Sequence, residues 1–479
     1  VILNGDARRL PLVDGSCYTC VTSPPYWGLR RYEGVEPSVW GGDPDCEHVW
    51  EAETLPPKHS DDGISGSGLD GGKATQAQAQ RSPVEYAYCQ RCGAWRGCLG
   101  LEPCIEDYVA HLVEVFREVK RVLRDDGTCW VNLGDSYASR LGGDGWAGYD
   151  WKTGGPVAPK KGSVSGVKRS REDVGLKPKD QCLIPHRVAL ALQADGWYLR
   201  STIVWAKGLS FCDSYSGSVM PESVTDRPTS AHEYVFLLAK SPRYYYDQDA
   251  EREAAKYGRR DWQANQYGRT RQADPRDRRD AYVSGAAGSA ADNPSAGRNL
   301  RTVWTVNTAS YRGAHFATFP PALVRPMVNL GCPAQCCPVC GKGWERVTEK
   351  ERSWESGSGR AGNLPNGKNG AGMQGGGATL DVRRGPSVAV VTLGFRPACD
   401  CLAINGDTPH VPGLVLDPFA GSGTVGLVCD ELGRRFVGVD ASAPYCAMAR
   451  RRIAAARRGV KTAPEEQAVE TLPLFEEKL

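Results

Sequence analysis

No uninterrupted apolar stretch in the 479 residues approaches the ~20 needed to cross a bilayer, which argues against a membrane-spanning helix. The opening VILNGDARRL places Asp6, Arg8 and Arg9 where the apolar core of a secretion signal would lie. The sequence therefore predicts a cytoplasmic protein without a membrane partner. Charge of one sign is also scarce. Fifty-nine Lys and Arg against 56 Asp and Glu leave +3, which neither demands a nucleic-acid partner nor opposes one. No internal repeat of fixed period is present, which argues against a solenoid or propeller.

What is there is a globular balance, with 41% apolar and 24% charged residues over a length suited to two or three domains. Four stretches (60–82, 140–180, 252–301 and 352–385) are rich in Gly or in Lys and Arg, the first of them almost free of large apolar residues, and they read as loops or insertions. Patterned segments lie between them. CYTCVT (17–22) reads as a strand, and 106–124 carries apolar residues at helical spacing up to the stop at Asp125, Asp126 and Gly127. TCWVNLGDS then reads as a strand, 184–195 as a helix, and 197–206, 233–239 and 243–247 as strands. Near the C-terminal end, LVLDPFAGSGTVGLVCDEL reads strand, loop, helix; RRFVGVDAS is a strand, and APYCAMARRRIAAARR a basic helix. Strands alternating with helices predict an α/β fold with a largely parallel sheet.

The strand 414–416 ends in Asp417, and Gly421 and Gly423 follow in a tight turn that opens a helix. Glycine permits positive φ and close approach of a ligand to the backbone. The next strand ends in Asp440, an acid placed to accept hydrogen bonds from ribose hydroxyls. The turn lacks the Lys-Ser/Thr ending of a phosphate-cradling loop, which disfavours ATP. A bare strand–helix turn without a ligand is the plainer reading of the loop alone.

TSPPYW (22–27) ends an apolar strand. Two prolines fix their own φ and hold Ser23 extended. Ser23, the Pro24 carbonyl and the Tyr26 ring together suit a planar group that carries an amine. Trp27 and Tyr244 to Tyr246 are further candidates for the wall of such a pocket, with core aromatics as the other reading.

TSPPYW together with DPFAGSGT resembles the DNA amino-methyltransferases that use S-adenosylmethionine, in the permuted β-group order with the catalytic motif first. GDA (5–7, followed by a short helix and strand), GLEP (100–103), WVNLGDS (130–136), 226–247 and HFATFP (315–320) extend the likeness. The resemblance implies a Rossmann-like domain of seven strands. It implies that Ser23, Pro24, Pro25 and Tyr26 are catalytic. Asp417, Phe419, Gly421, Ser422, Gly423 and Thr424 would border the cofactor, with Asp440 on its ribose and Asp6 near its adenine amine. His315, Phe316, Thr318 and Pro320 would lie near its methionine moiety. Serine at the first motif position is commoner in relatives that methylate N4 of cytosine, and aspartate in those acting on N6 of adenine. The preferred reading is a site-specific N4-cytosine methyltransferase that flips its base out of double-stranded DNA, with N6-adenine as the alternative. C5 chemistry needs a Cys nucleophile after Pro, which SPPY does not supply. A zinc-stabilised nucleic-acid-binding protein without catalysis is the alternative from another class, and RNA or a protein glutamine are other amine targets.

Eighteen cysteines are many for a cytoplasmic chain. Cys46, His48, Cys89 and Cys92 form one set, and Cys337, Cys340, Cys399 and Cys401 another. A Cys-x2-Cys pair followed by Gly suits a structural Zn²⁺ knuckle. Cys98, Cys104, Cys332 and Cys336 are substitute ligands, and redox-active pairs are the alternative. Arg-rich runs such as 269–279 suit phosphate contacts.

The expected division is 1–45 catalytic, 46–98 first zinc insertion, 99–250 catalytic with a basic loop at 140–180, and 251–300 target recognition. There follow 301–331 next to the cofactor, 332–402 second zinc insertion, 403–460 cofactor binding and 461–479 tail. A homodimer is left open, and a bacterial or phage origin is expected.

Overall fold

A computed structural model describes residues 1–28, 32–55, 84–138, 149–150, 155–156, 176–177, 179–211, 217–219, 222, 224–253, 298–309, 320–353, 387–401 and 409–459. The chain divides into two compact units. The first comprises 1–246, 302–336 and 410 onward, and the second 247–301 and 337–409.

The first unit is built on one sheet of eight strands. In chain order they are β1 (Ile2–Asn4), β2 (Cys17–Thr22), β3 (Leu123–Leu133), β4 (Tyr198–Ala206), β5 (His232–Ala239), β6 (Val303–Thr305), β7 (Leu414–Asp417) and β8 (Arg435–Asp440). Across the sheet the order is β1-β8-β7-β2-β3-β5-β4-β6. The first five run parallel, β5 is antiparallel to both neighbours, and β6 is parallel to β4. All six residues of β2 are buried, as expected of a parallel strand covered on both faces.

Among the described residues this unit has five helices: α1 (Ile105–Val122), α2 (Ile184–Ala194), α3 (Pro321–Gly331), α4 (Thr424–Glu431) and α5 (Ala443–Arg457). In α1 the apolar stripe is buried from Ile105 and Tyr108 through Leu112, Val115 and Phe116 to Val119 and Val122. Glu106 and Asp107 in the first turn and Lys120 and Arg121 in the last complement the helix dipole. Burying a side chain such as Phe116 contributes roughly 1.5–3 kcal/mol. Among the described residues, no helix is long and apolar enough to cross a membrane.

Sheet order reverses between β7 and β2, whose strands pair directly at Val415–Thr19 and Leu416–Cys20. In open α/β sheets ligands bind outside the carboxyl ends of the strands at such a point. Ser23, Asp417 and Asp440 therefore all fall at one edge. So do the end of β4 and the start of β5, because Ala206 pairs with His232 and Tyr234 with Leu133.

Four details depart from the sequence reading. The sheet has eight strands rather than seven; β6, at its edge, is three residues long and too short for alternation to register. Residues 243–247 form no strand; the Tyr245 N–H is spent on the Asp126 carbonyl instead of a ladder. The short helix expected after residues 5–7 is a set of turns. Asp125–Gly127 do not precede β3 but bulge within it, where Cys17 pairs with Leu123 and Thr19 with Thr128.

A four-stranded antiparallel sheet of Ser38–Trp40, Trp95–Gly97, Val84–Cys89 and Trp50–Leu55, in that spatial order, is also part of the first unit. The second unit holds two antiparallel pairs, Arg252–Glu253 with Arg298–Asn299 and Glu345–Ser353 with Ser387–Arg396.

Candidate active site

The carboxyl edge of the sheet opens into a cavity of about 600 Å³. Asn4, Asp6, Phe419, Gly421, Ser422, Thr424 and Asp440 line one part, and Ser23, Pro24, Pro25, Tyr26, Asn132, Lys207 and Glu233 another.

At the first end the loop is held by backbone geometry. Gly421 has φ +48° and Gly423 φ +76°, a region that costs little only for glycine. A Cβ on Gly423 would meet Ala449 of α5 at 2.8 Å, so loop and helix pack without room for a side chain. The Gly421 and Ser442 N–H groups each donate to the Asp440 carboxylate at 2.8 Å. Burial pushes the Asp440 carboxyl above its ordinary range, and the two N–H bonds oppose that push. Arg452 reaches from α5 to the Ser422 carbonyl at 3.2 Å and to the Ser422 and Thr424 hydroxyls at 3.0 Å.

Asp6 lines the cavity, but its carboxylate is engaged by Arg8, with Nη2–Oδ2 2.6 Å and the Arg8 N–H at 2.8 Å. Burial alone would raise its pKa; the Arg8 bonds and charge outweigh that and hold it below the usual carboxylate range. Asp417 and Gly423 are not among the residues that line the cavity. Asp417 is buried behind the loop, where its Oδ1 accepts from Thr22 Oγ1 at 2.7 Å and from the Phe419 N–H at 3.1 Å. Burial pushes its carboxyl up to about 7. It ties the strand that leads into Ser23 to the strand that leads into the glycine loop.

At the second end the groups are side chains in contact. Ser23 Oγ lies 3.4 Å from both Tyr26 Oη and Asn132 Oδ1. Tyr26 Oη donates to Glu233 Oε2 at 2.7 Å, and Asn132 Nδ2 to the same oxygen at 3.1 Å. Glu233 Oε1 pairs with Lys207. Burial, with the Glu233 charge beside it, pushes the Tyr26 phenol well above its ordinary pKa, so it stays a neutral donor. A Cβ on Gly134 would sit 2.6 Å from the Tyr26 ring, so this glycine leaves the ring its place. The Pro25 carbonyl accepts from Tyr108 Oη at 2.8 Å. The Pro24 carbonyl has no donor among the described residues, which fits an acceptor reserved for a ligand.

His315, Phe316 and Thr318 lie outside the described residues, as does the Arg-rich run 269–279. Pro320 caps α3 and does not line the cavity. Trp27 is a core residue whose Nε1 donates to the Glu102 carbonyl at 2.9 Å, and Tyr244 to Tyr246 do not line the cavity either. Asn132, Lys207, Glu233 and Arg452 escaped the sequence reading. The signal for two of them was there: a charge beside an apolar run at the mouth end of a strand, Lys207 after Ile203–Ala206 of β4 and Glu233 shortly before Val235–Ala239 of β5.

In each cysteine set, one donor atom per residue falls within 4.8 Å of the others. Cys46 Sγ and Cys89 Sγ are 3.9 Å apart, and Cys92 Sγ and His48 Nδ1 3.4 Å. Tetrahedral Zn²⁺ with ~2.3 Å Zn–S bonds would place sulfurs roughly 3.8 Å apart, so these residues fit that ion. Turns bring the pairs together: the Gly93 N–H bonds the Cys89 carbonyl and the Gly341 N–H the Cys337 carbonyl, both at 2.9 Å. Cys98, Cys104, Cys332 and Cys336 belong to neither set and are buried.

A profile for the DNA methylase family matches residues 18–335 and 408–451. The chain belongs to this family of N6/N4 amino-methyltransferases, S-adenosylmethionine-dependent enzymes that act on DNA. It is similar to the Type II methyltransferase M.SmaI of Serratia marcescens, 30% identical over 454 residues, covering 94% of this chain and 90% of that one. It is also similar to the Type II methyltransferase M.XycI of Xanthomonas campestris pv. cyanopsidis, 31% identical over 458 residues, covering 94% and 87%. Among solved structures, the PvuII DNA methyltransferase, described as cytosine-N4-specific, is 12% identical and covers 96% of this chain and 91% of its own, with a TM-score of 0.40.

Proposed function

We propose that this enzyme transfers a methyl group from S-adenosylmethionine to the N4 amine of a cytosine flipped out of duplex DNA, at a specific site. The carrying observation is the neutral Ser23 hydroxyl and the Pro24 carbonyl, which has no donor among the described residues, lining the same cavity as Gly421 and Asp440. The sulfonium supplies an already activated methyl group, so alignment matters more than a strong base. Asp440 takes the ribose hydroxyls, and the Gly421 turn lets the ligand approach the backbone.

An exocyclic base amine is a weak nucleophile because its lone pair is delocalised into the ring. Hydrogen bonds from that amine to Ser23 Oγ and the Pro24 carbonyl favour a pyramidal nitrogen aimed along the transfer line. Fixing two reactants this way can contribute roughly 7–11 kcal/mol at best. The same oxygens, set in advance, stabilise positive charge that develops on nitrogen. The amine is hidden in a duplex, so the base must be extruded, with the Tyr26 ring as its stacking face.

By likeness to the Type II methyltransferases, we assign the enzyme the modification role of a restriction–modification system in a bacterial cytoplasm. Each cysteine set holds one structural Zn²⁺. Such ions pin long insertions that cannot build a core alone. Long-read sequencing of DNA from expressing cells, with nucleoside mass spectrometry, tests base, atom and site together. N4-methylcytosine at one motif is the expected product; N6-methyladenine overturns the base assignment, and unmodified DNA overturns the activity. Elemental analysis is expected to give two zinc per chain, and well below one refutes the metal assignment.

A further inference from the structure

Lys207 and Glu233 form an ion pair on the wall of the cavity that also holds Ser23 and Tyr26. Their side chains are only 21% and 15% exposed. A pair so withdrawn from water seldom repays its desolvation, so stability alone is a poor reason for it. All three elements converge at one edge: Lys207 follows β4, Glu233 is the second residue of β5, and Asn132 the last but one of β3. Glu233 is already claimed by three donors, from Tyr26, Asn132 and Lys207. It is therefore a poor acceptor for a substrate amine and a good anchor for the lysine. The ammonium also lies 4.7 Å from the centre of the Trp205 ring. Carboxylate and ring together restrict where its three donors point.

We infer that Lys207, anchored by Glu233, is the base-selecting residue of this cleft: it donates to the O2 carbonyl oxygen of the cytosine whose amine faces Ser23. This rests on the N4-cytosine reading and deepens it. Along the pairing edge cytosine presents an amine, a ring nitrogen acceptor and then a carbonyl oxygen. Adenine presents an amine, a ring nitrogen acceptor and then a C–H. Only the third position separates the two bases. An ammonium held there gains an acceptor from cytosine and faces an apolar C–H in adenine, where its lost hydration goes uncompensated. The base flipped into such a pocket is read at this edge.

The test uses the full-length enzyme and two synthetic duplexes carrying the mapped site, one with the target cytosine and one with adenine in its place. Steady-state kcat/KM is measured on both for the wild type, Lys207→Met and Lys207→Gln, with S-adenosylmethionine binding as the check of folding. Lys207→Met is expected to lose roughly tenfold to a hundredfold on cytosine. It should lose far less on adenine, so the cytosine-to-adenine ratio falls. Lys207→Gln, which keeps a donor without the charge, is expected to fall between. If Lys207→Met does not bind S-adenosylmethionine, Lys207→Gln decides by the same ratio. Equal losses on both duplexes overturn the inference, because a merely structural pair would weaken both alike. A wild type that prefers adenine overturns the cytosine reading itself, an outcome seen before any variant is made.

Discussion

At the Gly421 end of the cavity, the inward-facing polar groups are fixed by the backbone. Two glycines adopt positive φ, two N–H groups hold Asp440, and Arg452 clasps the loop from α5. At the Ser23 end they are fixed by side chains in series, from Ser23 through Tyr26 and Asn132 to Glu233 and Lys207. A backbone cradle suits a ligand that is the same in every turnover. A side-chain chain can be retuned one residue at a time, which suits the partner that differs between enzymes of one fold. The Thr22–Asp417 hydrogen bond joins the strands that lead to the two ends.

Separate duties make separate defects. Tyr26→Ala should remove the stacking face and lower the single-turnover methylation rate by about 100-fold, a cost typical of lost alignment; calorimetry should find S-adenosylmethionine binding close to wild type. Asp440→Ala should do the reverse, weakening that binding by roughly 10- to 100-fold through the lost charged acceptor, read by the same titration. Thr22→Val strikes the link rather than either end. It leaves a buried carboxylate short of a donor and should cost about 1–3 kcal/mol in urea unfolding.

The smallest effect is a pH slope. Asp417 titrates at about 7 when folded, against an ordinary 3.8. Between those values the native protein holds a proton that the unfolded chain has released. Stability from this group therefore falls as pH rises from about 4 to 7 and levels off above, with a slope of at most ~1.4 kcal/mol per pH unit. Asp417→Asn mimics the protonated acid, so urea midpoints at pH 5 and 7 should lie closer together in this variant than in the wild type.

The backbone-built end was the more legible in sequence, for a physical reason. A turn at positive φ leaves glycines at fixed spacing, and the parallel strand before it leaves an apolar run, Leu414–Leu416. The same logic exposed α1 through its apolar stripe. Asp417 was legible as a site acid but not as a brace, because only the pairing of β7 with β2 puts it beside Thr22. The side-chain end was half legible. TSPPYW is contiguous, whereas Asn132, Lys207 and Glu233 come from three strands that meet only through sheet order. The run 243–247 misled because aromatic residues favour strands, yet the backbone bond from Tyr245 to the bulged part of β3 at Asp126 does not extend into a ladder.

The division of labour is tested most directly by Ser23→Ala. Its S-adenosylmethionine dissociation constant and its single-turnover methyl-transfer rate should be measured on the same preparation. An unchanged constant with a rate lowered by about 100-fold is expected. A constant and a rate that fall together, or a rate that does not fall, would contradict a cleft in which Ser23 holds the base and the glycine loop holds the methyl donor.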